Sequence, residues 1–386
     1  MLAMRAAVSG ARSMVTRAMA VHGMGASSRK GAALVANMSL VGRVGSVVPA
    51  SRAFGGRHSS ATIRRLSAEA GSGAGKAAKK SSSRRWPWVV AGLVGAGGVA
   101  AVYFRRLAKN KAVSPEEFHA PQAEAIAELL ADKKALDASK VTLFAYSACP
   151  FSGKVRAFLT YHSIPFNEVE VEPMFKSEIA DVPYSKVPQL TLARNGLQAR
   201  LVDSDAIVNY LAPLVLSAPE LHALNNDPDV LKWREWTSQH LVRLIVVYIN
   251  QSLASAVAGY DYIERFDAIP WYNKLFLKVV GAPVMFLVSK FVTRSRLAKL
   301  GYTDDQLDSV STLHAEIDAF VSQGLAGRDF HGGDAPDIVD LEIYGVIHAM
   351  QGHAVHDGLL THTGIGAWLA RMEALFTARA ALALQA

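Results

Sequence analysis

The chain has 386 residues, 51% of them hydrophobic, a single cysteine and a formal net charge of +8. Its length allows roughly two domains, and 15 Phe, 11 Tyr and 6 Trp exclude wholesale disorder. One cysteine excludes an intrachain disulfide framework, a cysteine-rich zinc site and a dithiol redox cycle.

The basic excess belongs to one end. Residues 1–85 hold 15 basic residues against one acid, Glu69, so this stretch carries +14 and the remainder −6. Arg5, Arg12 and Arg17 are interspersed with Met and Val, as an amphipathic basic helix requires. No compact apolar run marks a secretory signal, so 1–85 reads as a disordered transit segment for an organelle, the mitochondrion by preference. Arg52-Ala53-Phe54-Gly55 is its expected processing site. Phe54 is the one Phe, Tyr or Trp among these charges, and this lack of aromatic interleaving argues against nucleic acid as a partner.

Trp86–Phe104 contains 19 residues and no charge. That matches the hydrocarbon thickness of a bilayer at the helical rise. Trp86, Trp88 and Tyr103 sit at its ends, and Arg84, Arg85, Arg105 and Arg106 flank it. Four glycines would weaken it as a soluble core helix. A single membrane-spanning helix over 86–104 is expected, followed by a linker with one helix near Ala123–Ala131 over 105–139.

Residues 140–216 change pattern. Val141–Tyr146 is a short apolar run suited to a buried strand. Ser147-Ala148-Cys149-Pro150-Phe151-Ser152 follows, and Gly153–His162 reads as a helix. Further strands are expected near Phe166–Val171, Gln189–Ala193 and Gln198–Val202, the last two joined by an Asn195-Gly196 turn. Asp203-Ser204 opens a helix over Asp205–Leu211. The expected order β-α-β-α-β-β-α is that of the α/β thioredoxin-like fold used by glutaredoxins and glutathione transferases.

Cys149 falls between a strand and a helix N-terminus, where Pro150 suits the first helical position. Free N–H groups and nearby Lys154 and Arg156 favour a thiolate there. Tyr146, three residues upstream, is placed to donate its hydroxyl to that sulfur. In this fold Val187-Pro188 is expected to be cis and to present the Val187 backbone to a thiol peptide. Asp203 and Ser204 offer a carboxylate, a hydroxyl and free N–H groups to the γ-glutamyl end of glutathione. Phe151 and Ser152 complete this glutathione-binding set. Ser152 stands where a dithiol protein has its second cysteine, so the chemistry is monothiol.

Residues 217–386 read as an all-α domain. Trp233 and Trp236 are spaced as core residues. Trp271–Val292 is apolar but interrupted by Lys274, Lys278, Pro283 and Lys290. Its uncharged stretch Val279–Ser289 is too short to span a bilayer, so it is expected to pack on a neighbour or lie on a membrane surface. Asp337-Ile338-Val339-Asp340 resembles a capping box with Asp in place of Glu. His348, His353, His356 and His362 are broken up by glycines, and no metal site is expected.

From about Val141 to Phe376 the chain resembles the membrane-associated prostaglandin E synthase 2 family. The resemblance lies in Tyr146-x-x-Cys149-Pro150-Phe151 with Lys154-Val155-Arg156, in Lys186-Val187-Pro188 and in Asp203-Ser204. It extends to Trp233-Arg234-Glu235-Trp236, Asp261-Tyr262-Ile263, Asp340-Leu341 and Ile343-Tyr344-Gly345-Val346. It implies a transferase-like helical C-terminal domain, a homodimer, and isomerisation of prostaglandin H2, a lipid endoperoxide, to prostaglandin E2. It also implies a Cys149/Tyr146 catalytic site, with glutathione and haem as ligands. The family often has a cysteine where Ser152 stands. Alternative readings are a glutathione-dependent oxidoreductase or transferase acting on a small thiol substrate, an iron–sulfur carrier, or a non-catalytic subunit of a mitochondrial membrane complex.

Overall fold

The structure is a computed structural model that describes residues 113–383, apart from Met174. The expected transit segment, the 86–104 span and the first residues of the linker lie outside the described residues.

The stretch expected to be a linker carries three short helices, α1 (Pro115–His119), α2 (Ala123–Leu129) and α3 (Lys133–Asp137). It is packed rather than extended. Phe118 and Leu129 are buried, and the Val202 N–H donates to His119 Nε2 at 2.9 Å. Burial lowers the His119 pKa to about 4, so the ring stays neutral and accepts this bond.

A four-stranded sheet follows, with β1 (Lys140–Ala145), β2 (Asn167–Glu170), β3 (Gln189–Arg194) and β4 (Leu197–Val202) in the spatial order β2-β1-β3-β4. β1 pairs parallel with β2 and antiparallel with β3, which pairs antiparallel with β4. Asn195 and Gly196 both take positive φ in the β3–β4 turn, as that dipeptide favours. α4 (Pro150–Tyr161) and α5 (Ser204–Val215) flank the sheet strands in sequence. One expectation is corrected here. Among the described residues no α-helix joins β2 to β3; the connection holds a 3₁₀ turn at Ser177–Ile179. Pro173 and Pro183 bracket the segment, and Lys176 at φ 51° breaks right-handed continuity before that turn.

The helical layer comprises α6 (Ala218–Asn226), α7 (Pro228–Trp236), α8 (Val242–Ile249), α9 (Leu253–Ala258), α10 (Trp271–Ala298), α11 (Asp304–Asp308), α12 (Ser311–Ala319), α13 (Ile338–His348), α14 (Ala354–His362) and α15 (Gly366–Ala383). A π turn at Thr237–Leu241 joins α7 to α8. Trp233 is buried against Phe320, and Trp236 donates to Glu316 at 2.6 Å, so this pair is core. One buried apolar cluster runs from Leu143 and Phe158 beside the sheet to Val346 and Trp368 among the helices.

Two glycines set the closest contact between these layers. A Cβ on Gly153 of α4 would lie 2.0 Å from the Gly345 carbonyl oxygen of α13. A Cβ on Gly345 would lie 2.3 Å from the Gly153 carbonyl oxygen. The helices therefore touch backbone to backbone, which only glycine permits. Beside this crossing, fully buried Lys154 meets Glu342 at 3.2 Å and Asp205 at 2.5 Å, and donates to Ser238 at 2.9 Å. Arg234 donates to the same Glu342 at 2.9 Å. Buried charges are tolerated when paired in this way.

The N-terminus of α13 is capped as its sequence suggests. Asp337 accepts from Val339 and Asp340, and Asp340 accepts from Asp337. Buried Asp340 also accepts from the His331 and Gly332 N–H groups and from Trp368 Nε1 at 2.8 Å. His331 bridges Asp337 at 2.6 Å and Asp229 at 3.2 Å.

Gly345→Ala should lower stability by about 2 kcal/mol or more, because overpacking outweighs the helix-propensity gain. Gly358→Ala in α14, whose Cβ would find only His314 Nε2 at 3.6 Å, should be neutral or stabilising by about 0.5–1 kcal/mol. Urea unfolding of both variants checks this contrast. A second expectation concerns pH. Burial pulls the His331 pKa down, but the bond to Asp337 and the neighbouring carboxylates outweigh it, so the net direction is up from 6.5. The protonated ring then stabilises the fold fully below pH 6.5, and that contribution is lost as pH rises through the elevated value. Thermal melts across this window should fall with rising pH in the parent and be flatter in His331→Gln.

Candidate functional site

The sheet register gathers the site residues at one end. Phe144 pairs with Gln189, and Gln189 with Val202. One step further along, the chain leaves β1 toward Tyr146 and Cys149, enters β3 through Val187-Pro188, and leaves β4 at Asp203-Ser204. The parallel partner strand ends there too, at Glu170 opposite Ala145. Strand alternation and antiparallel pairing thus place three sequence-distant segments side by side.

Cys149 is half-buried and is the N-cap of α4, with Pro150 at the first helical position. Its N–H donates to the Tyr146 carbonyl at 3.0 Å, and its own carbonyl accepts from Gly153 at 2.9 Å. The sulfur is therefore held at a helix start, where unpaired N–H groups favour negative charge. The Val187-Pro188 bond is cis. The loop before it is pinned by Gln189 Nε2, which donates to Tyr184 O at 2.8 Å and Lys186 O at 3.0 Å. Asp203 takes φ 73° and caps α5, its Oδ1 accepting from the Asp205 and Ala206 N–H groups. Its Oδ2 accepts no hydrogen bond among the described residues, leaving one carboxylate oxygen for an ammonium donor. Burial and then the Asp205 charge raise the Asp203 pKa. Ser204 is buried beside it in the first turn of α5.

Two expected contributions are corrected. Lys154 does not serve the thiol: it is fully buried and committed to Glu342, Asp205 and Ser238. Ser152 is likewise fully buried in the first turn of α4, with no hydrogen bond to its Oγ among the described residues. It offers no surface to glutathione. A residue two positions past the helix start turns back into the protein while Cys149 stays at the rim. Phe151, half-buried, packs on the main core.

Arg156 keeps its expected place beside the thiol, and Lys176 stands in for Lys154. Arg156 and Lys176 both feel the charge on Cys149. Arg156 is salt-bridged to Glu168. Lys176 donates to the Ser185 carbonyl at 2.8 Å, tying the region of the thiol to the loop that precedes the cis bond. Burial lowers the Lys176 pKa, against the opposing charges of Glu172 and Cys149. Glu170 accepts from the Ser147 N–H and hydroxyl at 2.9 and 2.7 Å, and burial raises its pKa.

Tyr262, from a 3₁₀ turn at Asp261–Arg265 in the helical layer, is electrostatically coupled to Glu170, Tyr146 and Cys149. Burial first, and then Glu170, push its pKa far up, so its hydroxyl remains a donor. Asp261-Tyr262-Ile263 belongs to the motifs of the family resemblance, but nothing local assigns the tyrosine to a thiol 113 positions earlier in the chain.

Among the described residues, no group of three or more His, Cys, Asp or Glu could hold a metal. The four C-terminal histidines have structural settings: His353 caps α14, His348 meets Glu373, His356 is buried beside Asp357 and His362 stacks on His314. Arg156, Lys176 and Tyr262 are among the ionisable groups coupled to Cys149. Two clefts, one beside Tyr161 and Pro336 and one beside His240 and Tyr302, are not lined by Cys149.

Residues 143–215 match the family model described as glutathione S-transferase, N-terminal domain. Prostaglandin E synthase 2 of Mus musculus is 31% identical over 274 residues, covering 61% of this chain and 70% of the relative. That of Danio rerio is 31% identical over 291 residues, covering 64% and 74%. The chain belongs to the prostaglandin E synthase 2 family. Among solved structures it is similar to a glutathione S-transferase of Ceriporiopsis subvermispora in complex with glutathione, at 18% identity and TM-score 0.41, covering 62% of this chain and 97% of that one. It is also similar to FzlA from C. crescentus, at 14% identity and TM-score 0.37, covering 63% and 92%.

Lys176→Met should slow alkylation of Cys149 by iodoacetamide at neutral pH by about threefold to tenfold, through loss of a neighbouring positive charge. Lys154→Met should leave that rate unchanged while lowering the unfolding midpoint. Equal slowing by both variants would show that the effect is structural.

Proposed function

We propose that this family member is a membrane-anchored mitochondrial enzyme, working as a homodimer, that binds glutathione at a monothiol site and isomerises prostaglandin H2 to prostaglandin E2. The observation that carries the reading is the convergence of Cys149, the cis Val187-Pro188 turn and Asp203-Ser204 at one sheet end. The similarity to prostaglandin E synthase 2 of two vertebrates supports this choice of reaction. Glutathione fits the residues present: the Val187 backbone would pair with its cysteinyl unit, and the free oxygen of Asp203 would take its ammonium group.

In the isomerisation, the Cys149 thiolate attacks one endoperoxide oxygen. A sulfur–oxygen bond forms, the oxygen–oxygen bond breaks, and the departing oxygen takes a proton to become a hydroxyl. A base then removes the hydrogen from the carbon bearing the sulfur-linked oxygen. The carbonyl forms, the sulfur–oxygen bond breaks, and the thiolate is restored. Atoms and electrons balance without an external oxidant or reductant. Tyr262, held protonated, would donate together with Tyr146 to the oxygen on which negative charge develops, a role that its electrostatic coupling to Tyr146 and Cys149 supports. Buried Ser152 takes no part, so a single thiol suffices.

Cys149→Ser should abolish conversion of prostaglandin H2 to prostaglandin E2, and Tyr262→Phe should lower kcat by about a hundredfold. Product analysis by mass spectrometry distinguishes isomerisation from breakdown of the endoperoxide. Asp203→Asn, which keeps the cap oxygen but removes the charge, should weaken glutathione binding by about tenfold in calorimetry. Full turnover by Cys149→Ser would sink the assignment.

A further inference from the structure

Helix α10 is inside out. It runs 28 residues from Trp271 to Ala298, and its most apolar stretch has mean hydropathy 1.9, with only 17% of that stretch buried. By length and composition it could cross a membrane. Instead, the face it turns to the protein includes Asn273, Ala282, Ser289 and Thr293 along with Leu277 and Leu297. The face it turns to solvent carries Trp271 at 74% exposure, Val279 at 63% and Phe291 at 66%, with Leu275 and Leu287 between them. A surface helix of a soluble protein shows the reverse arrangement. Large exposed apolar patches of this kind mark contact surfaces.

Charge identifies what covers it. Residues 268–303 contain six basic residues and no acid. Lys274 and Lys278 are neutralised locally by Asp261 and Glu264, and Arg294 by Asp308. Lys290, Arg296 and Lys299 remain exposed near one end of the apolar stripe. A two-fold contact between copies would set this helix against an equally acid-free copy of itself, which offers these cations no opposite charge. The chain's own 86–104 segment, flanked by four arginines, carries the same sign. An anionic lipid surface supplies the opposite charge and an apolar interior together. Trp271 and Tyr272, exposed at the other end of the helix, are the residue types that settle at a membrane–water interface.

We propose that α10 lies in the plane of an anionic membrane surface, its Trp271–Leu275–Val279–Phe291 stripe immersed and Lys290, Arg296 and Lys299 on the headgroups. The contact is distinct from the expected span at 86–104, which would tether the chain but leave its orientation free. It also reaches the thiol site. Phe276 and Leu277 of α10 pack in the same apolar cluster as Tyr262 and Phe175. A helix seated on lipid would hold the Cys149 end of the sheet near the bilayer, where an apolar substrate partitions.

The test uses the full chain reconstituted in phosphatidylcholine vesicles with and without phosphatidylserine, with brominated acyl chains as quencher. Subtracting the emission of Trp271→Phe isolates Trp271 from the chain's other tryptophans, including those of the expected span. Trp271-specific quenching is expected, stronger with phosphatidylserine. It should fall by about tenfold in Lys290→Glu/Arg296→Glu/Lys299→Glu, given the attraction of each basic group to the surface. Circular dichroism confirms that the variant is folded, and raised salt on the parent gives the same loss without mutation. Absence of Trp271-specific quenching in both vesicle types would overturn the proposal. So would quenching indifferent to phosphatidylserine and to the triple reversal. A Trp271 shielded from brominated lipid but blue-shifted would instead assign the face to a second copy or to the 86–104 segment.

Discussion

The close crossing of α4 and α13 at Gly153 and Gly345 is the constraint on which the rest depends. α4 carries Cys149 at its N-terminus, so wherever α13 holds α4, the thiol is held too. With no side chain between the backbones, the crossing has little freedom to slide. The Lys154–Glu342–Arg234 cluster beside it adds direction, because each buried charge requires its partner at a particular place. The Asp337/Asp340 cap and Trp368 fix the start of α13 in turn. Stability and site geometry therefore share one set of residues.

That shared frame explains the division of basic residues around the thiol. Lys154, Arg156 and Lys176 stand within a short stretch of sequence, yet they have different tasks. Lys154 points into the layer interface and neutralises carboxylates there. Arg156 and Lys176 remain in electrostatic reach of Cys149. One turn of α4 separates the structural cation from the thiol at its start. Tyr262 reaches the same place from the opposite layer, on a 3₁₀ turn supported by Ile263 and by the apolar cluster under α10. The reactive end of the sheet is thus built jointly by both layers, and the helical layer is more than a cover.

α10 breaks the rule that α4 and β3 follow. There apolar periodicity and burial agree: Val155, Phe158 and Leu159 of α4 are buried, as are Leu190 and Leu192 of β3. Along α10 they oppose each other. Because the underside is satisfied by small and polar residues, the helix can keep its place on the protein while offering its apolar side elsewhere.

Local features were legible in the residues alone: the strand-to-helix placement of Cys149, the Asn195-Gly196 turn, the Asp337/Asp340 cap and the core role of Trp233 and Trp236. Each rests on short-range physics, namely alternation, turn conformation or an N-terminal oxygen, and neighbouring residues suffice to read it. The helix expected between β2 and β3 is absent among the described residues, where left-handed Lys176 and the flanking prolines interrupt the segment. Only the tertiary structure decided which cations face the thiol, that Ser152 is enclosed, and that Tyr262 arrives from a distant segment. It also showed that α10 wears its apolar face outward. Those are questions of which side of an element meets which neighbour. Periodicity gives the faces of a helix, but packing chooses between them.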